Sequence, residues 1–130
     1  SFIVVATPER DALREAAYFV ERLRTDDMPL AGLVLNRMQE VSDAHVSAER
    51  AIAAAERLQE EGQLAGDEIT AALLTLHADR LRLSDRQIHL AERFTAAHPG
   101  VAVCPVAALA EDVHDLAGLR TMGNLLAGAN

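Results

Sequence analysis

Side chains able to do chemistry are sparse in this chain, and their spacing excludes more than it offers. The five histidines stand at 45, 77, 89, 98 and 114, with no i,i+4 pair and no HExxH signature, so they read as surface or core histidines rather than metal ligands. The single cysteine, Cys104, allows no internal disulfide and no CxxC clasp; ahead of a proline in an apolar run it reads as an inert buried thiol. All 12 basic residues are arginine. With no lysine and no Gly-rich stretch, a Walker-type phosphate loop cannot be built, and a Schiff-base lysine is excluded. No Ser/His/Asp set is backed by a GxSxG-type motif. Glu9 has the chemistry of a general base, but negative charge at the start of a helix explains it better. What remains is Asn36-Arg37, closing an apolar run. An amide carries one acceptor and two donors. The carboxyl end of a strand is where α/β sheets take ligands. The plain alternative is that Asn36 closes a strand as an ordinary turn residue.

The elements that must hold Asn36 in place begin at the N-terminus. Phe2-Ile3-Val4-Val5-Ala6 is a continuous, β-rich apolar run of the kind buried on both faces of a parallel sheet. Thr7 is the expected N-cap of a helix, with Pro8 at its first position and Glu9 at its positive end. Leu13, Ala16, Ala17, Val20 and Leu23 mark one face of that helix, from Pro8 to about Thr25, and Asp26-Asp27-Met28-Pro29 stops it. Leu30 to Leu35 is a second strand, ending at Asn36-Arg37. Strand, helix and strand form a βαβ unit. Because the first strand opens at residue 2, the chain reads as a piece of a larger α/β protein.

A helical pair follows. Residues 42–61 carry Val46, Ala48, Ala51, Ile52, Ala55 and Leu58 on one face, with Ser42 as the expected cap. After a turn over residues 62–66, a long helix runs from Asp67 to about Ala97, ended by His98-Pro99-Gly100. It bears two apolar stripes: a broad one (Ile69, Leu73, Leu76, Leu83, Leu90, Phe94) and a narrow one nearly opposite (Leu74, Leu81, Ile88). Such a helix is sandwiched in a core or meets a partner. Arg82, Arg86 and Arg93 share a further face, beside Asp79 and Asp85, and read as a solvated surface with local ion pairs. Val101 to Val106 is a third strand, giving way to a loop at Pro105. Asp115 is placed to cap a last helix through Leu116, Leu119, Met122 and Leu126, with Gly128 at its end. The expected fold is α/β: a partial doubly wound parallel sheet of about three strands with an inserted helical pair. Its parts are a strand-helix-strand unit (1–41), a helical hairpin (42–98) and a final strand, loop and helix (99–130), packed as one compact domain.

Composition sets the outer limits. Of 130 residues, 50% are hydrophobic, so the chain is globular, and with 3% aromatics its core is built from Ala, Leu, Val and Ile. A net charge of -8 argues against nucleic-acid binding. No apolar run approaches the ~20 residues of a transmembrane helix. With no basic leader and one cysteine, a cytoplasmic location is the simplest expectation.

Three segments, in order, resemble one family. Val4-Val5-Ala6-Thr7-Pro8-Glu9 followed by Leu13-Arg14-Glu15-Ala16 is similar to a V-x-x-P-E…L-x-E-A/T stretch of the arsenical-pump-type ATPases, which include the guided-entry ATPases for tail-anchored membrane proteins. Gly32-Leu33-Val34-Leu35-Asn36-Arg37 resembles their V-V-N-Q/R strand. Val103-Cys104-Pro105 with Leu109-Ala110-Glu111-Asp112-Val113-His114-Asp115-Leu116-Ala117-Gly118-Leu119 resembles their C-terminal P-x-x-x-x-E-V-x-G-x-x-x-L segment. The wording is most similar to actinobacterial members described as anion-transporting ATPases.

The resemblance implies the C-terminal part of a P-loop NTPase that binds ATP or ADP with Mg²⁺ and couples hydrolysis to a membrane-protein client. It implies that Asn36 contacts adenine, with Arg37 beside it and Pro105, Val106 and Ala107 covering the base as a loop. It further implies a missing N-terminal half as partner, a homo- or heterodimeric parent, and peripheral membrane contact only through a partner. The family's phosphate loop, switch segments and catalytic aspartate have no counterpart here, so the chain is expected neither to hydrolyse ATP nor to bind nucleotide tightly alone. The zinc-clasp cysteines are missing too. The rival expectation is a non-catalytic interaction module that docks a partner through the two-sided helix at 67–97.

Overall fold

The computed structural model describes residues 1–41, 45–62, 66–109 and 112–128. The element order is β1 (Phe2–Ala6), α1 (Arg10–Thr25), β2 (Leu30–Met38), α2 (Ala48–Glu61), α3 (Asp67–Ala97), β3 (Val103–Ala107) and α4 (Leu116–Gly128). The strands form one parallel sheet in the order β1-β2-β3. The chain divides into two compact units: Ser1–Glu40 with Gln87–Asn130, and Val41–Arg86. Residues 87–97 of α3 therefore belong to the unit that holds the sheet.

In the sheet unit, alternation along each strand sends one set of side chains to the core. Val4 pairs with Leu33, and Leu33 with Val103; Ala6 pairs with Leu35. These rows pack against Leu13, Ala16 and Val20 of α1 and Phe94 of α3. Val20, Leu33 and Leu35 are fully buried. The expectation that Phe2 to Ala6 is buried on both faces is corrected. Ile3 and Val5, pointing the other way, are 62% and 63% exposed. The reason is topological: α1 and α3 cover the face carrying Val4 and Ala6, while α4 makes its main sheet contacts with β3.

Three boundaries also differ from expectation. Helix α1 starts at Arg10, not at Pro8. Glu9 N donates to Thr7 O (2.8 Å), so Thr7, Pro8 and Glu9 form a tight turn, and Glu9 is the N-cap residue without a side-chain cap bond. Pro8 is buried in that turn rather than opening the helix. Strand β2 runs past Asn36-Arg37 to Met38. Strand β3 keeps Pro105 in the ladder, opposite Leu35, where a loop was expected. An edge strand tolerates proline wherever its missing N–H faces away from the neighbour.

Gly32 lets β2 and β3 come together. A Cβ there would stand 2.6 Å from Ala102 O, the acceptor for Leu33 N at 2.8 Å.

In the helical unit, α2 begins at Ala48, capped by Ser47, whose hydroxyl accepts from Arg50 N at 3.3 Å. Ser42, the expected cap, lies outside the described residues, as do residues 63–65 of the expected turn. Ala48, Ala51 and Ala78 are buried together, with Ile52, Leu74 and Leu81 packed on them. Leu74 and Leu81 of the narrow stripe of α3 therefore face α2, while its third member, Ile88, belongs to the sheet unit and is exposed. The broad stripe is outside: Ile69, Leu73, Leu76 and Leu83 are exposed. Only its Leu90 and Phe94 enter a core, that of the sheet unit. In the helical unit the exposed side of the two-sided helix is thus the broad stripe. Alanines on both helices allow close approach, and the leucines between them fill the seam.

Helix α4 is capped as expected: Asp115 Oδ1 accepts from Gly118 N at 2.7 Å.

Candidate functional site

The parallel ladder between β2 and β3 is regular up to Leu35↔Pro105 and resumes at Met38↔Ala107. Between these pairs β2 spends one residue more than β3, which is a β-bulge at Asn36-Arg37. Arg37 takes the left-handed conformation at φ 64. For a non-glycine residue that conformation is unfavourable by ~1–2 kcal/mol. Asn36 Oδ1 accepts from Arg37 N at 3.0 Å and so closes the bulge through its own side chain. The bond uses one lone pair of the amide oxygen. It leaves the other lone pair and both Nδ2 hydrogens for a ligand. The plain reading of Asn36 as a turn residue and the ligand reading are thus compatible, because they use different atoms.

The bulge turns Asn36 and Arg37 into a cleft of about 410 Å³, also lined by Ala107, Leu109, Asp112, Val113 and Met122. That is within the ~300–1,000 Å³ span of small-molecule sites. Arg37 reaches across it to Asp112, Nη2 to Oδ1 at 3.0 Å. Both groups are largely exposed, their side chains at 67% and 86%, so the pair organises the rim more than it stabilises the fold. Ala107, Leu109, Val113 and Met122 supply apolar surface; Asn36 is half-buried and adds the directional polar group.

Of the residues expected at the site, Asn36, Arg37 and Ala107 line this cleft together. Pro105 does not: it lines a separate apolar groove of about 550 Å³ with Leu35, Met38, Ile88 and Val103. Val106 is 2% exposed. Since 103–107 is a strand, its residues alternate between faces, and the expected continuous cover over a ring cannot form from it. The apolar lining comes instead from Leu109, Val113 and Met122. Nothing in their spacing signals this role: Leu109 and Val113 lie in the stretch before α4, and Met122 has the spacing of a helix-face residue. Periodicity gives no signal for that convergence.

Elsewhere, His77 Nε2 lies 3.0 Å from Val46 O, and Arg82 pairs loosely with Asp79 at 3.9 Å. Cys104 is half-buried, less enclosed than expected for an inert core thiol. Ser47 and the backbone N–H of Glu49 hold the Glu49 carboxyl below the usual carboxylate range, the backbone bond contributing most. Among the described residues no helix is long and apolar enough to cross a membrane. Compared with known proteins, the chain matches no family model and no curated protein.

Proposed function

We propose that this chain is the base-binding part of an ATPase of the arsenical-pump or guided-entry type. In that reading it supplies the adenine side of a nucleotide site and leaves phosphate and Mg²⁺ chemistry to residues it does not itself contain. The single observation that carries this is the strained bulge at Asn36-Arg37. It sits at the carboxyl end of the middle parallel strand and opens an amide onto an apolar-lined cleft. Sparsely populated backbone conformations concentrate where a ligand must be met. The Nδ2 donor and the spare Oδ1 lone pair match the acceptor and donor on adenine's N6–N7 or N6–N1 edge. Val113, Leu109 and Met122 offer the ring an apolar face.

Phosphate and metal contacts dominate nucleotide affinity in this class. The chain alone therefore binds ADP weakly and does not hydrolyse ATP. Chemical-shift mapping with ADP tests the reading. Perturbations are expected at Asn36, Arg37, Ala107, Leu109 and Val113; measurable hydrolysis by a pure sample would count against it.

A second reading has its own observation. In the helical unit, Ile69, Leu73 and Leu76 are 68%, 60% and 50% exposed on one side of α3. A partner helix docking along that stripe would make the chain an interaction module. Solution mass, with Leu73→Asp as the disrupting variant, separates the two readings.

A further inference from the structure

A second groove in the sheet unit shares no lining residue with the Asn36 cleft. It runs between α1 and the C-terminal part of α3 and encloses about 440 Å³. Its floor is Leu13, Leu90 and Phe94; Arg10, Arg14 and Arg93 stand along it, with His98 at its wall and no carboxylate in the lining. In a chain with 20 acidic and 12 basic residues this is an unusual concentration of positive charge. Arg14 pairs with Asp11 at 3.1 Å, but both side chains are exposed, at 74% and 78%. Arg10 and Arg93 hold no carboxylate among the described residues. Like charges set along one groove repel unless something neutralises them.

His98, at the groove's wall, is 8% exposed, and its ring lies 4.6 Å from that of Phe94. Its buried Nδ1 faces Glu21 Oε1, which does not line the groove, at 3.3 Å without hydrogen-bond geometry.

We infer that this groove binds a small amphipathic oxyanion, a carboxylate or phosphate monoester on a short apolar body. Arg10, Arg14 and Arg93 hold the oxyanion, and the floor of Leu13, Leu90 and Phe94 receives the apolar part. Guanidinium groups suit both head groups because their paired N–H donors match two oxygens at once. Leu13 and Phe94 belong to the core cluster, so the bound apolar segment extends a dry surface rather than covering an isolated patch.

The test is an NMR titration of the full chain with octyl phosphate, octanoate, octanol and inorganic phosphate in parallel. Both amphipathic anions should shift the amides of Arg10, Arg14, Arg93 and His98. They should bind about tenfold more tightly than either octanol or inorganic phosphate. Arg93→Gln and Arg10→Gln, both at exposed positions, should each weaken octyl phosphate by roughly fivefold while leaving the remaining spectrum unchanged. Equal affinity for octanol would reduce the groove to a greasy surface and overturn the inference. So would equal affinity for inorganic phosphate, or insensitivity to both substitutions. Binding to vesicles of anionic lipid with no response to the soluble amphiphiles would overturn it in favour of a membrane surface.

Discussion

The left-handed backbone at Arg37 gives the sharpest test of the local structure. Replacing Arg37 by alanine keeps a Cβ at φ 64 and removes only the ion pair with Asp112. That pair is exposed on both sides, so its loss costs at most ~1 kcal/mol. Replacing Arg37 by glycine removes the same pair but also relieves the steric conflict of a side chain in the left-handed region. Glycine gives part of this back through the greater freedom of its unfolded chain. The net expectation is that Arg37→Gly is more stable than Arg37→Ala by about 1 kcal/mol. In a chain of this size that is a difference in midpoint of roughly 4 °C. Thermal melts and urea titrations of both variants, followed by circular dichroism, would measure it. If Arg37→Ala matches or exceeds Arg37→Gly, the bulge is not held as described and the geometry of the Asn36 cleft must be redrawn.

Three further expectations follow from other parts of the fold. Gly32→Ala should destabilise the sheet unit by ~1–3 kcal/mol, because its methyl would meet Ala102 O where β2 and β3 pair; urea unfolding would show it. Leu74→Asp should destabilise the helical pair by roughly 2–4 kcal/mol, whereas Leu73→Asp, its neighbour on the chain, should cost under ~0.5 kcal/mol. The reverse order in a urea titration would place the wrong stripe against α2. The folded pKa of Glu49 lies below its ordinary value, so its ionised form adds stability to α2 above the usual carboxylate range. That contribution is lost as the pH falls through the lowered pKa. Glu49→Gln should therefore be less stable than the parent at pH 7, with the difference closing in acid; a difference that persists unchanged there would refute the assignment.

Strand and helix periodicity made most of the secondary structure readable in advance. The three parallel strands, the helical pair and the Asp115-capped last helix all follow from apolar spacing and capping chemistry. What could not be read depends on partners far along the chain. Val5 looks the same whether its outward face is covered or open, and only the placement of α1, α3 and α4 decides. Apolar spacing shows that α3 has two stripes but not which of them is covered within its unit. The small residues Ala51 and Ala78 decide that, because they let the two helices of that unit close on each other. Asn36 was legible as a strand-end amide. The extra residue in β2 was not, since a bulge is defined by its register with β3. For the same reason Pro105 was assigned to the Asn36 site although the ladder turns it to another groove.

The proposed role of Asn36 is tested most directly by titrating the labelled chain with millimolar ADP beside Asn36→Asp. Aspartate is nearly the same shape and keeps an oxygen to accept from Arg37 N, so the bulge should survive. It loses the Nδ2 donor that adenine requires. The account predicts ADP-dependent shifts at Asn36, Arg37, Ala107, Leu109 and Val113 in the parent chain. In Asn36→Asp those shifts should vanish while the rest of the spectrum stays in place. Shifts that persist undiminished in the variant, or a parent chain silent to ADP across the whole cleft, would contradict the assignment of this site to adenine.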